Sequence, residues 1–281
     1  MLRDDSFFQF REHRIVIPGV RGEHLLMHVT DTHLTAVDDL TTAEELQKVE
    51  AQEELWSRFK GKFADANGEA YGDPQRISTR EAFDKTMDLA AELAPEALLL
   101  AGDNLDYMHP AGARYLAKRL AAYPGRYLCV PGNHEDPACP GCWDAGVRVL
   151  DFDGGFRVAA VDDRTLTVTD ADLAAFRALC AEGVPLIVLC HVPLITPCCR
   201  EQCTEKLFGK LDYFYLDGER EGADANAREF IRLCETEDAV KAVLCGHVHG
   251  WHEMELAPGK PQYVGSPGLI GAVHLVTVCG E

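Results

Sequence analysis

The sequence predicts an α/β fold, and three observations carry that expectation. Short apolar runs of strand length alternate with amphipathic stretches of helix length. The helical stretches carry start and stop signals. Five polar motifs each follow an apolar run: Asp31-Thr32-His33, Gly102-Asp103-Asn104-Leu105-Asp106, Gly132-Asn133-His134-Glu135, His191, and Gly246-His247-Val248-His249. Open α/β sheets gather their ligand sites at the C-terminal strand ends, where the departing loops converge on one crevice. Residues distant in the chain can meet there.

In chain order, Leu25 to Val29 reads as a strand that delivers Asp31 and His33. A polar segment from Thr35 to Gln75 then interrupts the alternation. Within it, Thr41 to Phe63 has helical spacing, with Leu46 and Val49 three residues apart and Leu55 and Phe59 four apart. This predicts a helical insertion at about 35–77. It lies on the surface or, because it leaves directly from His33, forms a lid over the site or a dimer contact. Arg80 to Leu93 reads as a helix, started by a capping box of Ser78 and Glu81 and stopped before Pro95. Ala97 to Leu100 is a buried strand. Ala111 to Ala122 is helical, with Tyr123-Pro124-Gly125 as its stop, and Tyr127 to Val130 is the next strand.

Val147 to Phe152 and Phe156 to Val161 read as paired strands around Asp153-Gly154-Gly155. Ala171 to Ala181 is helical, Leu186 to Cys190 a strand ending on His191, Ala227 to Glu235 a helix, and Val240 to Cys245 a strand. From Trp251 onward short strands are separated by Gly and Pro. With no internal repeat and no linker, residues 1–281 read as one domain.

A chain of 281 residues, 47% hydrophobic, has the means for a sizeable core. No apolar run approaches the roughly 20 residues of a bilayer span, so no membrane association is expected. The start carries Arg3, Asp4, Asp5, Arg11, Glu12 and Arg14 and does not read as a secretory signal. A cytoplasmic location follows as the expectation. The net charge of −19 repels polyanions and argues against a broad nucleic-acid surface. It does not exclude a small phosphorylated substrate, because bound cations reverse the sign locally. Eleven cysteines without an export signal argue against a disulfide framework. Cys129, Cys190 and Cys245 lie in apolar runs and read as core residues. Cys139 and Cys142, spaced C-x-x-C, and Cys198, Cys199 and Cys203 follow two of the motifs. They admit a structural zinc, a redox pair or plain free thiols.

The motifs point to metal-assisted hydrolysis. A phosphate ester resists attack because its anionic oxygens repel a nucleophile. Paired divalent ions about 3.5–4 Å apart neutralise those oxygens and activate water. The chain offers two carboxylates (Asp31, Asp103), one amide (Asn133) and four imidazoles (His33, His191, His247, His249). Two dications against two carboxylates leave a net positive centre that favours an anionic substrate. The mixed nitrogen and oxygen set suits two divalent transition-metal ions, Mn, Fe, Zn, Ni or Co, better than Ca or Mg. His134 is surplus to both shells. As an imidazolium it can protonate a leaving oxygen, typically worth about 10²–10⁴ in rate. Asp106, three residues past Asp103, is placed to orient it. His109, Trp251 and His252 are candidates for substrate contact, with ordinary loop roles as the alternative. His28 reads as a packed sheet residue, and Gly265-Ser266-Pro267-Gly268 as a turn.

The motif set resembles that of the calcineurin-like metallophosphoesterase superfamily: D-x-H, G-D-x-x-D, G-N-H-E/D, H and G-H-x-H, here spread over Leu25 to Gly250. The resemblance implies a four-layered α/β/β/α sandwich of two mixed β-sheets flanked by helices. It implies one metal on Asp31, His33, Asp103 and His249 and another on Asp103, Asn133, His191 and His247. Asp103 bridges them, a metal-bridging hydroxide attacks, and His134 acts as acid. The implied activity is hydrolysis of a small phosphomonoester or phosphodiester. A metal-stabilised interaction module and a protein phosphatase are the alternatives. The Thr35–Gln75 insertion has no fixed place in the family's minimal plan.

Overall fold

Strand and helix order follow the alternation of the sequence. The computed structural model describes residues 7–67, 77–135, 139, 141–206 and 214–281. The 68–76 part of the expected insertion, Arg3, Asp4 and Asp5 of the chain start, and Pro140 between two of the cysteines lie outside the described residues. The strands are β1 (Gln9–Val16), β2 (Glu23–Val29), β3 (Ala97–Ala101), β4 (Tyr127–Val130), β5 (Arg148–Phe152), β6 (Phe156–Ala160), β7 (Leu186–Leu189), β8 (Leu194–Ile195), β9 (Leu216–Asp217), β10 (Val240–Cys245), β11 (His252–Ala257), β12 (Lys260–Val264) and β13 (Ala272–Cys279). The helices are α1 (Ala43–Asn67), α2 (Thr79–Leu93), α3 (Pro110–Ala122), α4 (Asp170–Ala181), α5 (Arg200–Lys206) and α6 (Ala225–Thr236).

One sheet has the order β1-β13-β2-β3-β4, the other β11-β12-β10-β7-β6-β5. Both are mixed. In the first, β13 runs antiparallel to β2 while the other pairs are parallel. In the second, β11 and β5 are the antiparallel edges of a parallel centre.

The period-two alternation of side chains sorts each central strand between two cores. In β3, Leu98 and Leu100 pack with Phe83, Met87 and Leu116 of α2 and α3. The alternate residues Ala97, Leu99 and Ala101 face the second sheet, against Val158, Ile187 and Leu244. In β7 the division repeats: Leu186 and Val188 meet Phe176 of α4 and Phe230 of α6, and Ile187 and Leu189 face the inter-sheet layer. The result is the four-layered α/β/β/α sandwich. Near-continuous apolar runs in β3 and β7 are the sequence mark of strands buried on both faces.

The capping signals also take form. Ser78 Oγ accepts from Glu81 N at 3.1 Å at the start of α2, and α2 ends at Ala94 in the left-handed region. Asp224 accepts from the first turn of α6.

Two differences from the sequence reading stand out. Strand β1 was not foreseen; it pairs in parallel with β13 along its whole length. The insertion helix is present, but its phase differs from the apolar spacing. Leu46 and Leu55 are 41% and 40% exposed. Val49, Trp56 and Lys60 form the buried face, and Trp56 and Phe59 pack on Leu269 and Ile270. Among the described residues no helix is long and apolar enough to cross a membrane.

Candidate metal centre

The site forms where β2, β3, β4, β7 and β10 end. The loop after β2 is laddered to the loop after β3: Asp31 N donates to Gly102 O, His33 N to Asp103 O and Leu34 N to Asn104 O, at 2.9–3.0 Å. Gly246 N donates to His191 O at 2.9 Å, joining the loops after β7 and β10. These ladders fix the backbone in an uncommon shape. Asp31, His33, Asp103, His247 and His249 all have φ between 42° and 70°. Side chains in the left-handed region cost energy and persist only where the surroundings impose them. Here the turn aims each side chain back over its strand end. The flanking glycines permit this close approach: a Cβ on Gly132 would overlap Asp103 Oδ1, and one on Gly246 would overlap Thr30 Oγ1.

Two donor groups share Asp103, and a third joins His33, Asp106 and His134. Asp31, His33, Asp103 and His249 bring one ligand atom each within 4.8 Å of one another, as do Asp103, His191 and His247. Asn133 Oδ1 lies 3.2 Å from His191 Nε2 and so belongs beside the second group. His191 Nε2 is 3.3 Å from Asp103 Oδ2. His249 Nε2 is 3.2 Å from Asp31 Oδ1. His33 and His249 face each other Nε2 to Nε2 at 2.9 Å. Asp31 Oδ1 is buried without a hydrogen-bond partner. Carboxylate oxygens and ring nitrogens aimed at shared points, with an orphaned oxygen among them, fit divalent transition-metal ions.

The outward atoms are committed elsewhere. Asp31 Oδ2 accepts from Thr30 Oγ1 at 2.7 Å and from His247 N at 2.9 Å. Asp103 Oδ1 accepts from His134 N at 3.0 Å. His191 Nδ1 lies 2.8 Å from Ala101 O. A ring nitrogen against a carbonyl must carry its hydrogen, which leaves His191 Nε2 free to turn its lone pair inward.

The electrostatics agree. Burial alone would raise the carboxyl of Asp103, but His191, His33 and His134 outweigh it and hold it well below the usual range. Burial likewise opposes ionisation of Asp31, and His249 and His191 still bring it down to about 2. In return, Asp103 and Asp31 overcome burial and push His191 up to about 10. The field that draws a proton to His191 draws any cation to the same place.

His134 is 37% exposed, unlike His33 and His191, which are fully buried. Its Nδ1 lies 2.6 Å from Asp106 O, so it is the carbonyl of Asp106 that fixes the ring. The carboxylate expected in that role sits 3.9 Å away. Asp106 Oδ1 instead accepts from Trp56 Nε1 at 2.9 Å and lies 3.4 Å from His33 Nδ1.

The remaining candidates lie as follows. His109 is buried, with Nε2 2.9 Å from Ala36 O and Nδ1 3.0 Å from Tyr107 O. Its ring tethers two loops. Trp251 lies under the Arg11 guanidinium, 4.4 Å from ring centre to carbon, and His252 opens β11. The two cysteine clusters fall in opposite outer layers. Cys139 and Cys142 join the core under α2 and α3, whereas Cys199 and Cys203 join the core under α4 and α6 and Cys198 is exposed. They cannot share a zinc. Cys139 Sγ and Cys142 Sγ are 2.8 Å apart, and Cys203 Sγ rests 3.4 Å from Met254 Sδ.

Three supporting residues carry no motif signal of their own or were not given this role. Glu135 Oε1 accepts from Leu105 N and Oε2 from Gly132 N, both at 2.7 Å, tying the second and third motifs together. Burial, with the charge of Asp103, pushes its carboxyl up to about 8. Asp163 accepts from His191 N at 2.8 Å and Val192 N at 3.0 Å and so seats the loop after β7. Burial raises it to about 6. Trp56 brings the insertion helix to the site.

A family model described as calcineurin-like phosphoesterase matches residues 24–251. The chain belongs to that family and is a phosphoric ester hydrolase. No curated protein matches it by sequence. Among solved structures, a dimetal phosphatase from Danio rerio is similar with a TM-score of 0.48 and 8% identity, over 88% of each chain. A protein of unknown function from Aquifex aeolicus is similar with a TM-score of 0.36 and 13% identity, over 80% of each chain.

Proposed function

We propose that this calcineurin-like phosphoesterase hydrolyses a small phosphomonoester or phosphodiester at a two-metal centre. Asp31, His33, Asp103 and His249 would hold one ion, and Asp103, Asn133, His191 and His247 the other. The observation that carries the reading is the pair of donor groups meeting at one carboxylate, Asp103. Bound divalent ions supply charge to the ester oxygens and activation to the attacking water.

The protein's own part is positioning and proton transfer. With Nδ1 donating to Asp106 O, His134 keeps Nε2 as the atom that takes and gives a proton. That nitrogen lies 4.0 Å from Asp103 Oδ2, on a side chain that is 37% exposed. A protonated His134 there is placed to deliver its hydrogen to the leaving oxygen, so that the departing group need not leave as an alkoxide. A reducing cytoplasmic setting fits the eleven free cysteines.

The test is metal analysis combined with turnover of an aryl phosphate and its diester under each candidate metal. Hydrolysis that requires Mn, Fe, Zn, Ni or Co supports the reading. A marked diester preference with cleavage of cyclic nucleotides assigns it to diesters. Protein that binds none of these metals and stays inactive on both substrates removes it.

A further inference from the structure

The insertion helix α1 is seated by polar anchors as well as by packing. Its inner face presents Val49, Glu53, Trp56 and Lys60 at steps of four, three and four, one helical stripe. Glu53 Oε1 accepts from Thr35 Oγ1 at 2.6 Å and from Thr79 N at 3.0 Å, pinning α1 to the loop after His33 and to the start of α2. Lys60 Nζ, buried, donates to Ile77 O. Between these anchors stands Trp56. Its ring centre is 4.3 Å from that of His33 and 5.8 Å from that of His249.

We propose that α1 is a working part of the metal centre and that Trp56 is a positioning residue, which holds the Asp106 carboxylate behind His33. The inference rests on the two-metal reading above and deepens it. An indole N–H can only donate, so it pins Asp106 Oδ1 without competing for a proton. The pinned oxygen lies 3.4 Å from His33 Nδ1. His33 Nδ1 makes no hydrogen bond here, but a carboxylate held at that distance favours the hydrogen of His33 on Nδ1 and so the lone pair of Nε2 toward Asp31 and Asp103, 3.9 Å from an oxygen of each. The indole ring also packs against that of His33, tilted 38° to it. A chain folded without α1 would leave Asp106 free to swing.

The experiment titrates metal-free, full-length protein with Mn²⁺ and with Co²⁺ by calorimetry. It compares wild type with Trp56→Phe, Asp106→Ala and the double variant. Phenylalanine keeps a ring against His33 and removes the N–H. Trp56→Phe is expected to melt as wild type in the metal-free state and to lose roughly tenfold in metal affinity, the lower end of what outer partners of ligands contribute. In the Asp106→Ala background, Trp56→Phe is expected to add almost nothing, because both act through one carboxylate. Wild-type affinity in Trp56→Phe, or losses that multiply in the double variant, would overturn the proposal and leave the two-metal reading standing. A wild type that binds no metal overturns both. Should Trp56→Phe melt early, Glu53→Gln carries the test by loosening the seat of α1. A several-fold loss of affinity is expected there, and none at all is the overturning result.

Discussion

His13, His28 and His274 lie between the two sheets, while His33, His191, His247 and His249 gather at the strand ends. Strand β2 carries His28 into the first group and leads within a few residues to His33 in the second. In the inner three, His274 contacts both of the others. His13 Nε2 is 2.9 Å from His274 Nδ1, His274 Nε2 accepts from Ser266 N at 3.1 Å, and the ring of His28 is 5.5 Å from that of His274. Burial drives all three down, His13 to about 4, His28 to about 3 and His274 well below its ordinary value. At the strand ends burial is equally complete around His191, yet Asp103 and Asp31 push it up to about 10. Desolvation makes a histidine inert; at His191 the carboxylates of Asp103 and Asp31 outweigh it and make the ring a seat for positive charge, whereas at His33 burial still wins and lowers the ring despite Asp106 and Asp103. The positive φ angles of Asp31 and Asp103 are what bring those carboxylates inward.

The sharpest way to break this contrast is to remove the shared carboxylate. Asp103→Asn keeps the shape and deletes the charge. It should lose metal at both positions and lower activity by more than the roughly 100-fold at the top of the range for outer-shell partners. Metal content by elemental analysis and turnover of an aryl phosphate check this. If Asp103→Asn retains both ions, the carboxylate does not distinguish the two clusters. His134→Ala should keep both ions and lose about 10²–10⁴ in rate. The acid-assisted share of the rate should be the part that disappears, so a leaving group of low pKa is expected to suffer less. Equal losses on good and poor leaving groups would remove His134 from proton transfer.

Gly246→Ala attacks the backbone instead of the charge. Its Cβ would overlap Thr30 Oγ1 and crowd Asp31 Oδ2. Relief requires Thr30 to turn away and Asp31 to lose one of its fixed donors. The expected cost is about 1–3 kcal/mol of stability, as for overpacked sites, together with weaker metal binding. Denaturant unfolding and metal titration measure the two effects separately.

What could be read from the sequence divides along the same line. Asp31, Asp103, His191 and His247 announce themselves because each ends an apolar strand with a polar residue, a local pattern. The rest depends on partners remote in sequence. β1 is charged and half-buried, QFREHRIV, and becomes a strand only by pairing with β13 at the other end of the chain. Asp163 has no motif around it, and its role appears only once β6 and β7 lie side by side. In α1 the leucines misled: Leu46 and Leu55 face solvent, and the stripe that docks contains Glu53 and Lys60. Hydrophobic spacing cannot phase a helix whose seat is built from buried polar anchors. Asp106 was found beside His134 as expected, but with its carbonyl and carboxylate serving different rings. Spacing gives no means of telling those two atoms apart.

The smallest expected effect probes the inner cluster by pH. In the unfolded chain a histidine takes up its proton near 6.5. In the folded protein His28 resists it down to about 3, because burial penalises the charge. The unfolded state therefore binds the extra proton, and the contribution of His28 to stability is complete above 6.5 and is lost as pH falls. Glu135 and Asp163, raised by burial to about 8 and about 6, act in the opposite sense over part of this window. The total slope is therefore a poor readout, and the difference between wild type and His28→Leu is the useful one. In metal-free protein, the variant should gain on wild type as pH drops from 6.5 to 5, by up to about 1.4 kcal/mol per pH unit. Urea unfolding at pH 7, 6 and 5 measures it. A difference that stays flat would mean that His28 takes up its proton in the folded protein as readily as in the unfolded chain, and that burial without a carboxylate does not silence a histidine here.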